Sequence, residues 1–118
     1  MIVKERPDAL FVHPDVVLSS NPRPQQLADF AIKARLPTIH AFRFFVEAGG
    51  LMSYGASLSE VYTVAAEQVA KILAGARPSE LPLRQATRFE LVINLKTAKA
   101  LGLTIPQSVL GRADHVIE

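Results

Sequence analysis

The side chains best suited to chemistry in this sequence come at the ends of three short apolar runs. Asp15 follows the run at residues 9–12, Phe42 and Arg43 end the stretch at 38–43, and Ser53 and Tyr54 close the run at 51–54. A carboxylate such as Asp15 accepts hydrogen bonds from a ligand amine or hydroxyl, and a guanidinium such as Arg43 clamps a carboxylate with two hydrogen bonds. Tyr54 offers a flat face and a hydroxyl. These residue types are typical of a site that binds a small solute.

Three of these side chains also have a purely structural interpretation. Asp15 follows Pro14, and an Asp in that position commonly caps the next segment. Arg43 can stay solvated at a helix start, and Tyr54 can belong to the core. A further hypothesis makes Asp15 the phospho-acceptor of a receiver-like module, with Lys96 as its partner. That hypothesis needs additional carboxylates for Mg²⁺ at the end of the first strand, where only Asp15 is present.

The patterns of known catalytic and metal sites are absent from the sequence. His13, His40 and His115 have no metal-ligand spacing, although His13 lies at a strand end near Asp15. The chain has no cysteine, and it contains neither a G-x-S-x-G elbow nor a G-x-G-x-x-G fingerprint. We therefore expect no catalytic residue, no metal, no cofactor, and a binding protein rather than an enzyme.

The composition is that of one small globular unit. The 118 residues are 49% hydrophobic and 20% charged, with a net charge of +2. So small a basic surplus, without a basic stripe among aromatics, argues against a nucleic-acid partner. No apolar run is long enough for a membrane span, and the charged N-terminus lacks the apolar core of a signal peptide. Taken literally, this N-terminus predicts that the chain stays in the cytoplasm.

Strand and helix patterns alternate along the chain. We predict strands at 9–12, 38–42, 51–54 and 89–93, because each is a short apolar run between turn signals. Helices are predicted at 22–36 with Asn21 as N-cap, at 43–48, at 58–74, at 94–101 with Asn94 as cap, and after Pro106. The fold class is therefore α/β, with a mostly parallel sheet and helices on both faces. Ligands of such sheets bind beyond the carboxyl ends of the strands.

The helix at 58–74 has the clearest signals. Ser57 and Glu60 have the spacing of a capping box, in which each side chain bonds a free backbone N–H. Apolar residues recur along one face, and Gly75 follows the last turn. The members of this apolar stripe are Leu58, Val61, Tyr62, Ala65, Val69, Ile72 and Leu73.

Three long strings give the sequence a family resemblance. They are FVEAGGLMSYG at 45–55, FELVINLKTAKALGLTIP at 89–106 and RADHVIE at 112–118. Together they resemble the C-terminal third of the ABC-transporter substrate-binding proteins that include aromatic amino acid importers. The resemblance implies one lobe of a type I periplasmic binding protein plus a hinge-crossing helix. It further implies that this chain is a fragment of a periplasmic protein that binds a solute for an ABC permease.

The resemblance also assigns a site and a domain plan. It implies ligand contacts by Asp15, Phe42, Arg43, Ser53 and Tyr54, and the solute would be an amino acid or another small organic molecule. It places residues 1–55 in the second lobe, 56–86 in a hinge crossing with a first-lobe helix, and 87–118 in a return strand with C-terminal helices. The alternative is a free-standing flavodoxin-like or receiver-like interaction module.

A homodimer is the last expectation. If the first lobe is missing, the apolar stripe of the helix at 58–74 has nothing to pack on, and an exposed apolar patch of that size is rare in monomers. We expect a second copy to cover it, with Val61, Val69 and Ile72 in the interface.

Overall fold

A computed structural model describes the backbone of residues 2–118 and the side chains from residue 4 onward. The described part of the chain forms five strands and seven α-helices. The strands are β1 Leu10–Val12, β2 Thr38–His40, β3 Met52–Ala56, β4 Phe89–Asn94 and β5 His115–Ile117. The helices are α1 Ile2–Glu5, α2 Val16–Ser19, α3 Arg23–Lys33, α4 Arg43–Glu47, α5 Leu58–Leu73, α6 Leu95–Ala100 and α7 Gln107–Leu110, with a 3₁₀ turn at Pro78–Glu80.

The strands form a single sheet in the order β1-β2-β3-β4-β5. The pairs β1–β2, β2–β3 and β4–β5 are parallel, and in register Phe11 lies beside Ile39, Ile39 beside Met52, and Ile93 beside Val116. The predicted α/β class with a mostly parallel sheet is confirmed. Strands β1 to β4 were predicted from the sequence, and β5 was not.

Two compact units divide the chain. The first contains the residues up to Gly55 together with Glu90–Glu118, and the second is Ala56–Phe89. The first unit therefore holds most of the sheet, and the second holds α5 and the extended segment after it. The assignment of these parts to two lobes of a longer protein stays a prediction.

The core of the first unit is apolar, with a few buried polar groups that fasten loops to strands. Val46 of α4 and Val92 and Ile93 of β4 are fully buried, and the last two point to opposite faces of the sheet. The buried Asn94 accepts a hydrogen bond from the Thr97 backbone N–H at 3.1 Å and donates one to the carbonyl of Val46 at 3.2 Å. The predicted Asn94 cap of α6 is thus confirmed, and the same side chain ties α6 to α4.

Helix α3 is shorter than predicted at both ends. Its N-cap is Pro22, which makes no side-chain capping bond, so the predicted Asn21 cap is wrong. At its other end Arg35 adopts a left-handed backbone (φ 54°), and the Leu36 N–H reaches back to the carbonyl of Ala31. This closure ends the helix at Lys33, three residues before the predicted end at Leu36.

Helix α5 runs as predicted, but its capping box does not form. Ser57 is the N-cap residue and its side chain makes no capping bond. Glu60 turns away from the helix start, and its carboxylate accepts hydrogen bonds from the Thr87 hydroxyl at 2.9 Å and the Arg88 N–H at 2.8 Å. The pKa of Glu60 is lowered, chiefly by the hydrogen bond from the Arg88 N–H and then by those from Thr87. The predicted capping box is therefore wrong, because Thr87 and Arg88, distant in sequence, together donate three hydrogen bonds to this carboxylate.

Candidate functional site

The carboxyl ends of β1 and β2 border an open cavity of about 500 Å³. Val12 and His40, the last residues of these strands, are neighbours in the parallel register, so the segments after them emerge side by side. The cavity is lined by Pro14, Asp15, Val16, Ser19, Ser20 and Phe42. Asp15 and Phe42, two of the residues singled out in the sequence, therefore meet at one cavity.

Asp15 is held in place by capping α2. Its Oδ1 atom accepts hydrogen bonds from the backbone N–H groups of Val17 at 2.8 Å and Leu18 at 3.1 Å. The Ser19 hydroxyl adds a bond to the Asp15 carbonyl at 2.7 Å. The capping interpretation is confirmed, and the two capping hydrogen bonds both use Oδ1.

A ladder of aromatic rings supports Phe42 from the core. The ring of buried His40 stacks on Phe45 with centroids 4.7 Å apart, Phe45 stacks on Phe44 at 4.6 Å, and Phe44 stacks on Phe42 at 5.7 Å. Stacked rings are stiff and bury apolar area without exposing polar atoms. Phe42 therefore presents a fixed apolar surface to the cavity.

Arg43 is engaged by its own helix. Its Nε atom lies 2.6 Å from Oε1 of Glu47, one turn along α4, and both side chains are about half exposed. Arg43 is not among the residues that line the cavity. An arginine already paired with a carboxylate is a poorer clamp for a solute anion than the sequence alone indicated.

Ser53 and Tyr54 lie within β3 rather than after it, because the strand continues to Ala56. Their side chains point to opposite faces of the sheet, as neighbours on a strand do. Ser53 is only 2% exposed, whereas Tyr54 is 59% exposed. Neither is among the residues that line the cavity at Asp15. Their role as ligand contacts stays a prediction.

A second open hollow of about 430 Å³ lies beside the first, along edge strand β1. Apolar side chains dominate its wall, with His13 and Asp15 at one end; its lining residues are Leu10, Phe11, Val12, His13, Pro14, Asp15, Leu18 and Leu27. Val16, Ser19 and Ser20 at the first cavity and Phe11 at the second were not predicted as site residues. The Asp15 cap could have indicated Val16, Ser19 and Ser20, since a cap predicts a helix that begins at the next residue, beside the strand end.

His40 is buried away from these cavities. Its Nε2 atom lies 3.0 Å from Oγ1 of Thr38, which also accepts the Leu51 N–H at 3.1 Å. Burial lowers the pKa of His40 to about 4, so the ring is neutral at pH 7. Within the described part of the chain, no three His, Asp or Glu side chains are grouped as metal ligands. In the same residues, no helix has the length and apolar character needed to cross a membrane.

An α/β sheet with an open cavity at the carboxyl ends of its strands is the architecture of a ligand-binding module. The chain belongs to the ABC transporter substrate binding protein family, whose model matches residues 1–117. This membership confirms the resemblance seen in the sequence. It also confirms the expectation of a binding protein rather than an enzyme, and the family is not that of receivers or flavodoxins.

Solved structures of three bacterial proteins share the fold. A conserved domain protein from Vibrio cholerae is 31% identical with a TM-score of 0.88, and an ABC domain from Streptococcus pneumoniae in complex with L-Trp is 28% identical with a TM-score of 0.87. A ligand-free, open substrate binding protein with adhesive properties from Clostridium difficile is 25% identical with a TM-score of 0.66.

In each case the match covers 98% of this chain but only 38 or 39% of the other chain. This chain thus spans well under half the length of these structures. No significant match to a curated protein was found.

Proposed function

We propose that this chain forms part of the solute-binding protein of an ABC importer and that the cavity at Asp15 and Phe42 contributes one wall of the solute site. Two observations support this proposal. The family match covers nearly the whole chain. The cavity combines a fixed carboxylate with a fixed aromatic surface, and a few oriented polar groups on an apolar wall are typical of small-molecule sites.

The charges around the cavity favour a solute that carries an amino group. Asp15 contributes a carboxylate to the cavity wall, whereas the guanidinium of Arg43, the residue after Phe42, is paired with Glu47. An ammonium group would form a charge-assisted hydrogen bond with Asp15 Oδ2, and an apolar body would pack on Phe42. The neighbouring structure from Streptococcus pneumoniae holds L-Trp. An aromatic amino acid is therefore the first solute to test, ahead of an anionic one.

The proposed role of the complete protein rests on the family match and on the share of the neighbouring structures that this chain spans. Because the chain spans 38 or 39% of the neighbouring structures, we propose that the opposite wall of the site comes from sequence that this chain does not contain. The complete protein would deliver its solute to an ABC permease from outside the cytoplasmic membrane, in the periplasm. On this proposal the chain is a fragment of that protein.

The replacement of Asp15 by Asn tests the site. Asn keeps the side-chain oxygen that caps α2 but removes the charge, so the variant should fold normally. In a titration with L-tryptophan followed by ¹⁵N–¹H NMR, we expect shift changes at the backbone N–H groups of residues 15–20 and 42 in the parent chain. We expect about tenfold weaker binding in Asp15→Asn, since a charge-assisted hydrogen bond is lost.

Asp8→Asn provides a matched control, because Asp8 is an exposed carboxylate that lies outside both cavities. It should bind L-tryptophan as the parent does. Shift changes confined to other parts of the chain, or equal weakening in both variants, would contradict the proposed site. If L-tryptophan causes no change while a carboxylic acid such as succinate does, the solute class is wrong and the site stands.

A further inference from the structure

The two serines that line the cavity at Asp15 already use their hydroxyl hydrogens. The Ser19 hydroxyl donates to the carbonyl of Asp15 at 2.7 Å, and the Ser20 hydroxyl donates to the carbonyl of Val17 at 2.7 Å. A carbonyl oxygen can only accept, so each of these hydroxyls offers a solute the lone pairs of its oxygen rather than a hydrogen. With the Asp15 carboxylate, three of the side chains that line this cavity are therefore hydrogen-bond acceptors.

The carboxylate of Asp15 keeps acceptor capacity after it has capped α2. Both capping bonds use Oδ1, and in the described part of the chain no donor is hydrogen-bonded to Oδ2. Among the same residues, no basic side chain forms an ion pair with this carboxylate. The cavity wall therefore carries a negative charge that the rest of the described chain does not neutralise, and the helix cap fixes its position.

The same wall lacks the groups that hold an anion. None of its six lining residues has a cationic side chain. The N–H groups of α2 and of Ser20 bond to Asp15 or to helix carbonyls, except that of Val16, which has no acceptor among the described residues. A carboxylate is usually held by a cation or by two or three donors, so this single N–H of the helix is not enough.

We propose that this wall recognises the primary ammonium group of the solute by accepting several of its N–H bonds, and that it does not recognise a carboxylate. This inference rests on the solute site proposed above and specifies which end of the solute the site binds. A primary ammonium has three N–H donors, which equals the number of acceptor side chains, Asp15, Ser19 and Ser20. The class of ligand selected by this wall is thus a primary amine with an apolar body that packs on Phe42, whether or not it is an amino acid.

Four indole compounds separate the contributions of the ammonium group and the carboxylate. They are tryptamine, L-tryptophan, indole-3-propionate and N,N,N-trimethyltryptammonium, each titrated into the chain at pH 7 and followed at the backbone N–H groups of residues 15–20 and 42. We expect tryptamine to bind within about threefold of L-tryptophan, and indole-3-propionate to bind at least about tenfold more weakly, since it brings a negative charge and no ammonium donor to Asp15. The trimethylated compound should bind at least about fivefold more weakly than tryptamine, because it keeps the charge but has no N–H on that nitrogen.

The double variant Ser19→Ala, Ser20→Ala tests the two serines. Both hydroxyls bond to carbonyls of their own helix, so the variant should keep the parent's circular dichroism. We expect it to bind tryptamine several-fold more weakly and the trimethylated compound as the parent does, so the difference between the two compounds should narrow. Ser108→Ala is the matched control, because Ser108 is an exposed serine on α7 outside the cavity, and it should bind all four compounds as the parent does.

Three results would overturn this inference and leave the solute site in place. They are an indole-3-propionate that binds at these residues as tightly as tryptamine, a trimethylated compound that does so, and a double variant that loses no affinity for tryptamine. If none of the four compounds shifts residues 15–20 and 42, the proposed solute site itself is wrong, and this inference falls with it.

Discussion

Protonation of the buried His40 ring is expected to destabilise the folded chain. The ring is buried against Phe45, its Nε2 atom faces the Thr38 hydroxyl, and its Nδ1 atom has no hydrogen-bond partner among the described residues. Because the Thr38 oxygen already accepts the Leu51 N–H, its hydroxyl hydrogen is available for Nε2 of the neutral ring. Protonation would place a charge in this apolar setting without a compensating partner.

We therefore expect the chain to lose stability as the pH falls from about 6.5 to 4. Burial lowers the pKa of His40 from 6.5 in the unfolded chain to about 4, so between these values the unfolded state binds a proton that the folded state does not. The loss at pH 5 is about 2 kcal/mol, and it levels off below pH 4, where both states are protonated. Urea denaturation at pH 7.5 and pH 5 measures this difference in the free energy of unfolding.

Two variants separate His40 from the other titrating groups. His13→Gln removes an exposed histidine and should keep the full loss between pH 7.5 and pH 5. His40→Gln should be less stable at pH 7.5 but should lose about 2 kcal/mol less over the same range. Equal losses in the two variants would show that His40 does not resist protonation in the folded chain.

The role of a residue could be predicted from the sequence where its hydrogen-bond partners are close to it in the chain. Asp15 caps a helix that starts at the next residue, and Asn94 does the same. The pairing of Arg43 with Glu47 is also local, one helical turn along α4, and its spacing in the sequence would have indicated it. The position of Ser53 depended instead on how far β3 extends. Strand length is set by neighbouring strands, so the burial of Ser53 could not be read from its own surroundings in the sequence.

Among the elements, β5 and the capping of α5 show how distant contacts override local patterns. The strand β5 has only three residues, and it forms because Asp114 exchanges hydrogen bonds with the backbone of Leu91 and because His115–Ile117 then pairs with β4. Similarly, Glu60 has capping-box spacing but is drawn to Thr87 and Arg88. Both outcomes depend on residues more than 20 positions away, and no local pattern specifies them.

The contact of Glu60 with the connector predicts a local change in stability. We expect Glu60→Gln to speed hydrogen exchange at the backbone N–H groups of Thr87 and Arg88 several-fold, because the charged acceptor of both is lost. In the parent chain this protection should hold above the ordinary carboxyl pKa of 4.5 and should fade as the pH falls through the lowered pKa of Glu60.

Glu67→Gln is the control for this contact. It breaks only the exposed ion pair with Arg84 and should leave the exchange of the Thr87 and Arg88 N–H groups unchanged, since surface ion pairs contribute little. Equally fast exchange in both variants would mean that the connector is held by its backbone path rather than by Glu60.

At the scale of the whole molecule, the openness of the cavity limits how tightly this chain can bind a solute. The cavity at Asp15 is formed by residues of two neighbouring segments, 14–20 and 42, and it is open to solvent. High-affinity sites for small molecules enclose most of the ligand surface, and a single wall provides only part of that burial. The neighbouring structures are more than twice as long as this chain, which leaves ample sequence for a second wall.

We therefore expect calorimetry of this chain with aromatic amino acids to give dissociation constants of about 1 mM or weaker, or roughly 4 kcal/mol of binding free energy. Because enclosure sets this limit, phenylalanine, tyrosine and tryptophan should differ by less than tenfold. Succinate, which lacks the amino group proposed to bind Asp15, should bind more weakly than all three. Micromolar binding by this chain would contradict the expectation, because it would require a closed site that Asp15, Phe42 and their neighbours form without any second wall.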